Sequence, residues 1–314
     1  MLLFTADWHI KIGQKNVPKD WAKNRYELFI EQVRELETQV SLHIVGGDVF
    51  DKLPSLEELS IYFNFIRGVT VPTLVFPGNH EALKKDTSFF DQLVEVTQAI
   101  NPLVTVVTTT TEYDNFTILP FADLHRKNSI EDCPQDKPLF THVRGEILPH
   151  VKPEVDLDRF NKFPIVYAGD LHSHSNTQRN IVYPGSPMTT SFHRSLVDTG
   201  YLLIDEEDLT KWSWHKFELP QLIRKTVEST EDMIATDFHH TIYEIEGDLQ
   251  QLSGIANTEL LDKKIVKRNS EVTVDLTGKT IQQELEAYLI DVLTLPDVTV
   301  EKAMEVFNAN FKGS

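Results

Sequence analysis

The chain has 314 residues, 40% of them hydrophobic, so it can bury a sizeable core together with one or two smaller units. Its formal net charge of −18 argues against a protein that binds nucleic acid through a basic surface alone, because phosphate neutralisation requires lysine and arginine. Its single cysteine, Cys133, excludes an intramolecular disulfide and fits a reducing, cytoplasmic setting, and no run approaches the ~20 apolar residues of a membrane span.

The first third of the chain alternates short apolar runs with helical patterns. The runs MLLFTAD, SLHIVGGD and TLVFPGNHE predict buried strands, each of which ends in polar residues. Residues 20–39, 55–67 and 87–100 place apolar side chains at helical spacing and predict helices. Strands that alternate with helices favour β-α-β units and a largely parallel sheet inside a layered α/β sandwich.

Residues from about 104 to 220 are richer in strand signals. Short β-rich runs joined by Pro, Gly and Asp turns predict the second half of the sheet system. These runs are LVTVVTT, NFTILPF, KPLFTHV, FPIVYAGD, NIVYPGS, GYLLID and KWSWHKFEL. Residues 1–220 are therefore predicted to form the main domain.

The remainder of the chain divides into two smaller regions. Residues 221–275 show two strand signals around a helix signal, which predicts a small mixed domain. Residues 276–314 contain two amphipathic helix patterns, and Thr280 and Gln283 have capping-box spacing at the start of the first. Two such helices at a chain end either pack on the body or bind a partner, and the pattern alone leaves both readings open.

Apolar runs in this chain repeatedly end in residues that can bind metal ions. In chain order these are Asp7 and His9, Asp48 and Asp51, Asn79 and His80, His142, and then Asp170, His172 and His174. Ligands gather at the carboxyl ends of strands in α/β sheets, so we expect these side chains to meet. Carboxylate, imidazole and amide groups together favour Mn²⁺, Fe²⁺ or Mg²⁺-like ions, and two such ions ~3.5–4 Å apart suit in-line displacement at phosphorus.

The order of these motifs resembles the calcineurin-like metallophosphoesterases, whose motifs are D-x-H, G-D-x-x-D, G-N-H-E, H and G-H-x-H. More narrowly, the GDVFD segment and IVYPGSPMTTSFHR at residues 181–194 are similar to SbcD-type nuclease subunits of DNA double-strand-break repair. The resemblance covers essentially the whole chain and is strongest up to residue 194. It implies a metallophosphoesterase β-sandwich flanked by helices, a capping domain at 221–275 and a helical ATPase-binding segment at 276–314.

The same resemblance implies a site for two divalent ions, Mn²⁺ first with Mg²⁺ as the alternative. The implied ligands are Asp7 and His9 on one ion, Asp48 as the bridge, Asn79 and His142 on the other ion, and one residue of the last motif on each. His80 is implied to stabilise the transition state or protonate the leaving oxygen without binding metal. Asp51 is implied to orient its neighbours.

The last motif departs from the family pattern, because this chain has Gly169-Asp170-Leu171-His172 where the family has Gly-His-x-His. In one alignment Asp170 replaces the first histidine and His172 keeps the second. In the other the frame slips, and His172 and His174 bind the ions. We favour the first, because the apolar run IVYAG ends at the glycine as it does in the family.

The favoured alignment changes the charge of the site. With Asp7, Asp48 and Asp170 ionised, two divalent ions would leave one net positive charge rather than the two of the family. We therefore expect firmer binding of hard cations and weaker attraction of phosphate.

The function implied by the resemblance is a two-metal DNA nuclease with double-strand exonuclease and single-strand endonuclease activities, acting through a metal-bound hydroxide. It further implies a homodimer through helices near the N-terminal third and an SbcC-type ATPase that docks on residues 280–311 and gates access to DNA. The chain is shorter than many cellular relatives, which fits a phage origin and a location in the host cytoplasm. The acidic balance predicts weak DNA binding by the lone subunit.

Two other functions remain open on the sequence. A phosphatase or small-nucleotide phosphodiesterase could use the same fold, although the YPGSP segment and the helical tail argue against it. A metal-free adaptor is the alternative from another class. It is disfavoured because only one ligand position has changed, and to another competent ligand.

Overall fold

The computed structural model describes residues 1–84, 87–266 and 278–310. The strands are β1 (Leu2–Thr5), β2 (Leu42–Gly46), β3 (Thr73–Phe76), β4 (Ala82–Lys84), β5 (Thr87–Ser88), β6 (Val104–Val106), β7 (Thr111–Glu112), β8 (Thr117–Leu119), β9 (Leu139–His142), β10 (Val166–Gly169), β11 (Ile181–Val182), β12 (Gly200–Ile204), β13 (Trp212–Lys216), β14 (Leu222–Val227), β15 (His240–Gly247) and β16 (Leu261–Val266). The α-helices are α1 (Lys19–Glu37), α2 (Leu56–Gly68), α3 (Val94–Ile100), α4 (Phe121–Leu124), α5 (Leu249–Ser253), α6 (Ile281–Ala287) and α7 (Asp297–Asn310).

Two sheets form a sandwich in the first part of the chain. The six-stranded sheet has the order β13-β12-β1-β2-β3-β6, in which β1, β2, β3 and β6 are parallel. The five-stranded sheet has the order β11-β10-β9-β8-β7 and is parallel except for β7. Helix α1 lies between β1 and β2 in the chain, and α2 lies between β2 and β3. The predicted α/β sandwich flanked by helices is therefore confirmed.

Aromatic side chains fill the space between the two sheets. Phe4 on β1 contacts Phe140 on β9 edge to face, with ring centroids 5.3 Å apart, and Phe140 stacks on Tyr167 of β10 at 5.0 Å. None of the three is exposed to solvent. Each buried side chain of this size stabilises the fold by about 1.5–3 kcal/mol. The shared core therefore holds the two sheets together.

Helices α1 and α2 cover the outer face of the six-stranded sheet. Trp8 lies against Phe29 of α1 and Phe65 of α2, with ring centroids 5.0 and 4.8 Å away. Helix α2 begins with a complete capping box between Ser55 and Glu58, which satisfies two backbone N–H groups at the helix start. Both helices lie where the apolar spacing predicts them, and both pack on the loop that follows β1.

The helix predicted over residues 87–100 is wrong in its first half. Ser88 lies in the short strand β5, Phe89–Gln92 is a 3₁₀ helix, and the α-helix begins only at Val94. The Ser88 hydroxyl accepts a hydrogen bond from the Phe90 N–H at 3.1 Å, which offers the backbone an alternative to the helical bond. Burial of both phenylalanines stabilises this turn.

The chain after residue 220 has one strand more than predicted. Strands β14, β15 and β16 form a three-stranded sheet, and the short helix α5 follows β15. In the tail, Thr280 and Gln283 form the expected capping box at the start of α6. A π-helical turn at Tyr288–Val292 follows α6, and α7 covers most of the second predicted helix.

The described residues fall into two compact units. One comprises Met1–Glu244 and Asn257–Asp262, and the other comprises Ile245–Ala256 with the described residues after Asp262. The domain boundaries at residues 220 and 275 stay a prediction, and residues 267–277 and 311–314 of the predicted regions lie outside the described part of the chain. Within the described residues, no helix is long and apolar enough to cross a lipid bilayer.

The lone thiol is expected to be unreactive in the folded protein. Cys133 is 4% exposed, and burial raises its pKa from 9.0 to about 11. The thiolate fraction at pH 8 should therefore fall roughly 100-fold, and Ellman's reagent should titrate the thiol only after denaturation. Because the folded state favours the protonated form, this residue should lower the free energy of unfolding as pH rises above 9.0 towards 11. Rapid native labelling at pH 8 would contradict this assignment.

Candidate metal centre

The sequence-predicted ligands follow neighbouring strands at one edge of the sandwich. Because β1, β2 and β3 are parallel, and β9 and β10 are parallel in the second sheet, their carboxyl ends come together. The strand ends and the residues that follow them are Thr5 and Asp7, Gly46 and Asp48, Phe76 and Asn79, His142 itself, and Gly169 and Asp170. The strand order thus places side chains from five strands at one edge of the sandwich.

Three of these side chains form a first group. Asp7, His9 and His172 each offer a ligand atom, and these atoms lie within 4.8 Å of one another. The Nε2 atoms of His9 and His172 face each other at 3.0 Å. Burial lowers the pKa of His9 to about 3, so this imidazole is neutral near pH 7 and its lone pair is available to a cation.

A second group surrounds His142. Its Nε2 lies 2.9 Å from Asn79 Oδ1, 3.3 Å from Asp48 Oδ2 and 4.0 Å from Asp170 Oδ1. Its Nδ1 donates to the Gly46 carbonyl at 2.9 Å, which directs Nε2 towards the oxygen atoms. Because Asp48 Oδ2 also lies 3.7 Å from His9 Nε2, this carboxylate stands between the two groups.

The buried charges of the second group depend on one another. Burial alone would lower the pKa of His142, but the carboxylates of Asp48, Asp7 and Asp170 raise it well above its usual value. Burial alone would raise the pKa of Asp48, but His142 holds it below its usual value. In the protein without metal, a proton on His142 therefore balances negative charge that a divalent cation would otherwise balance.

Backbone strain is concentrated at the same residues. The left-handed φ values are 56° at Asp7, 44° at His9, 50° at Asp48 and 99° at Asp170. Such conformations cost of order 1–3 kcal/mol each in non-glycine residues and cluster at functional sites. Gly47, with φ of 86°, passes so close to the centre that a Cβ atom would lie 2.5 Å from Nδ1 of His142. The loops are thus shaped to aim side chains at this centre.

The donor atoms fit divalent cations. Two ligands bonded at about 2.1 Å and at right angles lie roughly 3 Å apart, and the 2.9, 3.0 and 3.3 Å separations in the two groups match this spacing. Carboxylate oxygen, imidazole nitrogen and amide oxygen are ligands for Mn²⁺ and Mg²⁺-like ions. The residues that fit are Asp7, His9, Asp48, Asn79, His142 and His172.

His80 has a different environment from these residues. Its Nδ1–H donates to the Asp51 carbonyl at 2.6 Å, so its Nε2 is directed towards Asp48 Oδ2, 3.9 Å away. Its side chain is 36% exposed, whereas that of Asp48 is 2% exposed. The Asp51 carboxylate pairs with Lys11 at 2.8 Å and lies 3.8 Å from His9 Nδ1. His80 is thus held at the mouth of the centre, where a substrate could reach it.

The structure brings His172 to the centre and leaves His174 outside it. The His174 ring stacks on Trp214 with centroids 5.4 Å apart, and its Nδ1 lies 2.7 Å from the Tyr183 carbonyl oxygen. Asp170 reaches the centre with one oxygen, and Arg144 holds both of its oxygens. His172 thus lies with the clustered donors, and the alignment in which Asp170 replaces the first family histidine stays a prediction.

Arg144 alters the charge expected for the site. Its Nε and Nη2 donate to the two oxygens of Asp170, each at 3.1 Å. The positive charge of Arg144 offsets the negative charge of Asp170. The prediction of a weaker positive charge at the site did not include this arginine. The signal in the sequence was slight, since Arg144 lies two residues after His142 with no recognised motif around it.

Two further residues support the centre and were missed as functional residues. The buried Glu81 carboxylate accepts hydrogen bonds from the N–H groups of Gly78, Asp48 and Phe50 at 2.8, 3.0 and 2.9 Å. Burial raises the pKa of Glu81 to about 8. Thr190 Oγ1 lies 3.1 Å from His172 Nδ1 and orients that ring. Glu81 is the last letter of the GNHE motif and could have been found there.

Comparisons with known proteins identify the family of the chain. The model of the calcineurin-like phosphoesterase family matches residues 1–223. A protein of Escherichia phage T5, described as a probable exonuclease subunit 1, is 39% identical over 96% of this chain and 96% of its own length. A putative phosphoesterase of Invertebrate iridescent virus 6 is 24% identical over 65% of this chain and 75% of its own length.

The solved structure of an archaeal phosphodiesterase aligns with a TM-score of 0.39 and 13% identity, over 69% of this chain and 99% of that one. The family match spans both sheets and every residue of the metal centre. The resemblance predicted from the motifs is confirmed, and with it the enzyme class, a metal-dependent phosphodiesterase. The chain belongs to the calcineurin-like phosphoesterase family.

Proposed function

We propose that this chain is a two-metal DNA nuclease, the nuclease subunit of an SbcCD-type complex, with double-strand exonuclease and single-strand endonuclease activities. The observation that carries the proposal is the meeting of the buried Asp7, His9, Asp48 and His142 with the exposed His172 in one centre, next to the exposed His80. The similarity to the phage T5 protein extends over 96% of both chains and supports an exonuclease encoded by a phage.

The proposed centre holds two divalent ions, Mn²⁺ in the first instance and Mg²⁺ as the alternative. The proposed ligands are Asp7 and His9 on one ion, Asp48 between the ions, Asn79 and His142 on the other ion, and Asp170 and His172 with one contact each. When bound, the ions would lower the pKa of a water molecule and neutralise charge on the phosphate. The chain itself fixes the donor atoms, excludes bulk water from the buried carboxylates and presents His80 to the leaving group.

A comparison of substrates tests the reaction class. The purified chain with Mn²⁺ should degrade duplex DNA and cleave circular single-stranded DNA faster than it hydrolyses a nitrophenyl phosphate monoester. Rapid hydrolysis of the monoester without DNA cleavage would favour the phosphatase or small-nucleotide phosphodiesterase alternative. A chain without bound ions after dialysis against Mn²⁺ would favour the metal-free adaptor.

A crystal soaked in Mn²⁺ tests the ligand assignment. Anomalous peaks should identify two ions that share Asp48, with Asp170 and His172 in contact with them. An ion bound by His174 in place of Asp170 would support the slipped alignment, for which the Trp214 stack would have to open. Replacing Mn²⁺ by Mg²⁺ in parallel soaks addresses the identity of the ion.

Replacing His80 by asparagine should lower kcat on DNA roughly 100-fold without changing the number of bound ions, because loss of a general acid typically costs 10²–10⁴-fold. The effect should be much smaller on a bis-nitrophenyl phosphodiester, whose leaving group needs no proton. Rate measurements on both substrates, with ion content, separate proton donation from metal binding. An equal loss on both substrates would contradict the role of proton donor, and a lost ion would make His80 a ligand.

The tail is proposed to bind an SbcC-type ATPase through residues 280–311. In its described part, Ile281, Tyr288, Val298 and Val306 are each 48–64% exposed, which supports an apolar docking surface. Deleting residues 280–314 should abolish co-purification with such an ATPase while leaving cleavage of short DNA by the subunit. Retained co-purification would place the contact elsewhere.

A homodimer is also proposed, through helices near the N-terminal third. Leu53, in the loop before α2, and Leu56, the first residue of α2, are 65% and 83% exposed and are suited to an apolar contact. Light scattering should give twice the mass of one chain, and Leu53→Glu combined with Leu56→Glu should give the monomer. The proposed location is the cytoplasm of the bacterial host.

A further inference from the structure

A guanidinium and a carboxylate form a pair at the edge of the metal centre. Nε and Nη2 of Arg144 donate to Oδ2 and Oδ1 of Asp170, each at 3.1 Å, and this two-bond arrangement fixes the plane of both groups. The Asp170 side chain is 6% exposed, whereas that of Arg144 is 41% exposed. The pair therefore extends from the buried donor atoms to the solvent.

The guanidinium lies close to the atoms where a phosphate would be bound. Oδ1 of Asp170, which accepts from Arg144 Nη2, lies 4.0 Å from Nε2 of His142. That nitrogen is the atom around which the Asn79 and Asp48 oxygens gather. A single carboxylate oxygen thus separates the cation from the second group of donors. Asp170 and, to a smaller extent, Glu154 and Asp48 raise the pKa of Arg144, which keeps it charged.

Arg144 has donors that Asp170 does not use. A guanidinium carries five N–H groups, and Asp170 accepts from two nitrogen atoms, Nε and Nη2. Among the described residues, Nη1 of Arg144 makes no hydrogen bond. The backbone N–H of Arg144 donates to Glu154 at 3.0 Å and anchors the base of the side chain. An oriented cation with spare donors matches the non-bridging oxygens of a phosphodiester.

We propose that Arg144 binds a non-bridging oxygen of the substrate phosphodiester through Nη1, while Nε and Nη2 remain on Asp170. The inference rests on the proposed phosphodiesterase chemistry at this centre and names a substrate-binding residue for it. Without Arg144, the negative Asp170 carboxylate would repel a phosphate. The neutral histidine that the family has at this position would not. With Arg144 attached, the same carboxylate instead orients a cation towards the substrate.

Arg144→Gln provides the first test. The variant should keep two Mn²⁺ ions, raise KM for DNA roughly tenfold and leave kcat within about threefold, because a hydrogen bond from a charged group to the phosphate is lost. Calorimetry with inorganic phosphate and Mn²⁺-loaded protein should show a similar loss of affinity, independently of turnover. Arg144→Lys should recover part of the affinity, because lysine keeps the charge without the two-bond contact to Asp170.

A second background separates substrate binding from simple neutralisation of Asp170. In Asp170→His, which restores the family residue and removes the carboxylate, Arg144 has no negative partner at this position. If Arg144 only neutralises Asp170, then Arg144→Gln has no effect there. We expect that a loss of phosphate affinity of at least about threefold persists, as a direct contact requires. An unchanged affinity in that background would overturn the proposal.

Arg159→Gln is the matched control. Arg159 makes the same two-bond contact with Glu131, at 2.6 Å for both bonds, and neither residue belongs to the clustered donors. The Arg159→Gln variant should leave KM for DNA and the affinity for phosphate unchanged. If the wild-type chain cleaves DNA but Arg144→Gln matches it in both quantities, or loses Mn²⁺, only the Arg144 proposal fails. A wild-type chain that cleaves no phosphodiester with Mn²⁺ would remove the proposed function as well.

Discussion

Replacing Asp48 by asparagine is expected to lower kcat on DNA roughly 10³-fold, because this carboxylate is proposed to bind both ions and several kcal/mol of transition-state charge stabilisation would depend on them. The change should not unfold the protein. Asp48 Oδ1 accepts from the His80 N–H at 2.9 Å, and an amide oxygen can keep this bond. The amide nitrogen would then face His142 Nε2, now 3.3 Å from Oδ2, where the imidazole lone pair can accept.

Ion content and thermal unfolding check this result without an activity assay. Mn²⁺ at about 100 times its dissociation constant should stabilise the wild-type chain by about 2.7 kcal/mol for each bound ion, and the shift should be much smaller for Asp48→Asn. Asp51→Asn makes the same change in the same loop at a carboxylate that pairs with Lys11 and lies 3.8 Å from His9 Nδ1. It should keep both ions, with a smaller loss of affinity than Asp48→Asn. Two tightly bound ions in Asp48→Asn would show that the carboxylate is not shared.

The positions of the candidate ligands were predictable because they depend on strand order and strand ends. Asp7, Asp48 and Asn79 each follow an apolar run, and parallel neighbours place the ends of such runs at one edge. The same reasoning predicted that His142 and Asp170, at the ends of two parallel strands of the second sheet, lie at the same edge. Periodicity also predicted α1 and α2, whose buried faces are long enough to be read in the sequence.

Features that depend on single hydrogen bonds were not predictable. The first half of the helix expected over 87–100 is instead a turn that the Ser88 hydroxyl stabilises. This local hydrogen bond leaves the apolar spacing unchanged, so the spacing could not indicate it. The pairing of Arg144 with Asp170 depends on how two loops approach each other, and no spacing in the sequence encodes that distance. Glu81 itself could have been found as the last residue of the GNHE motif, but its three partners could not, because they are backbone N–H groups, which every sequence contains.

Replacing Glu81 by leucine is expected to reduce the free energy of unfolding by at least about 3 kcal/mol, because three buried N–H groups lose their acceptor and each costs about 1–3 kcal/mol. Glu81→Gln should have a smaller effect. Oε2 accepts from the Asp48 and Gly78 N–H groups and can be replaced by the amide oxygen. Oε1 accepts from the Phe50 N–H, which would then face an NH₂ group. Urea unfolding of both variants without metal measures these differences.

Glu81→Gln should also weaken metal binding, because the Glu81 carboxylate links the loop of Asp48 to the loop of Asn79 through hydrogen bonds. Outer hydrogen bonds of this kind typically contribute 10–100-fold to metal affinity, so Glu81→Gln should bind Mn²⁺ about tenfold more weakly. Glu58→Gln is the matched control: its carboxylate accepts from the Ile12 and Ser55 N–H groups, and neither belongs to the centre. It should lose stability but not Mn²⁺ affinity. Equal Mn²⁺ affinity in both variants would make Glu81 a structural residue only, whereas a selective loss would show that one buried carboxylate sets the spacing of ligands from two loops.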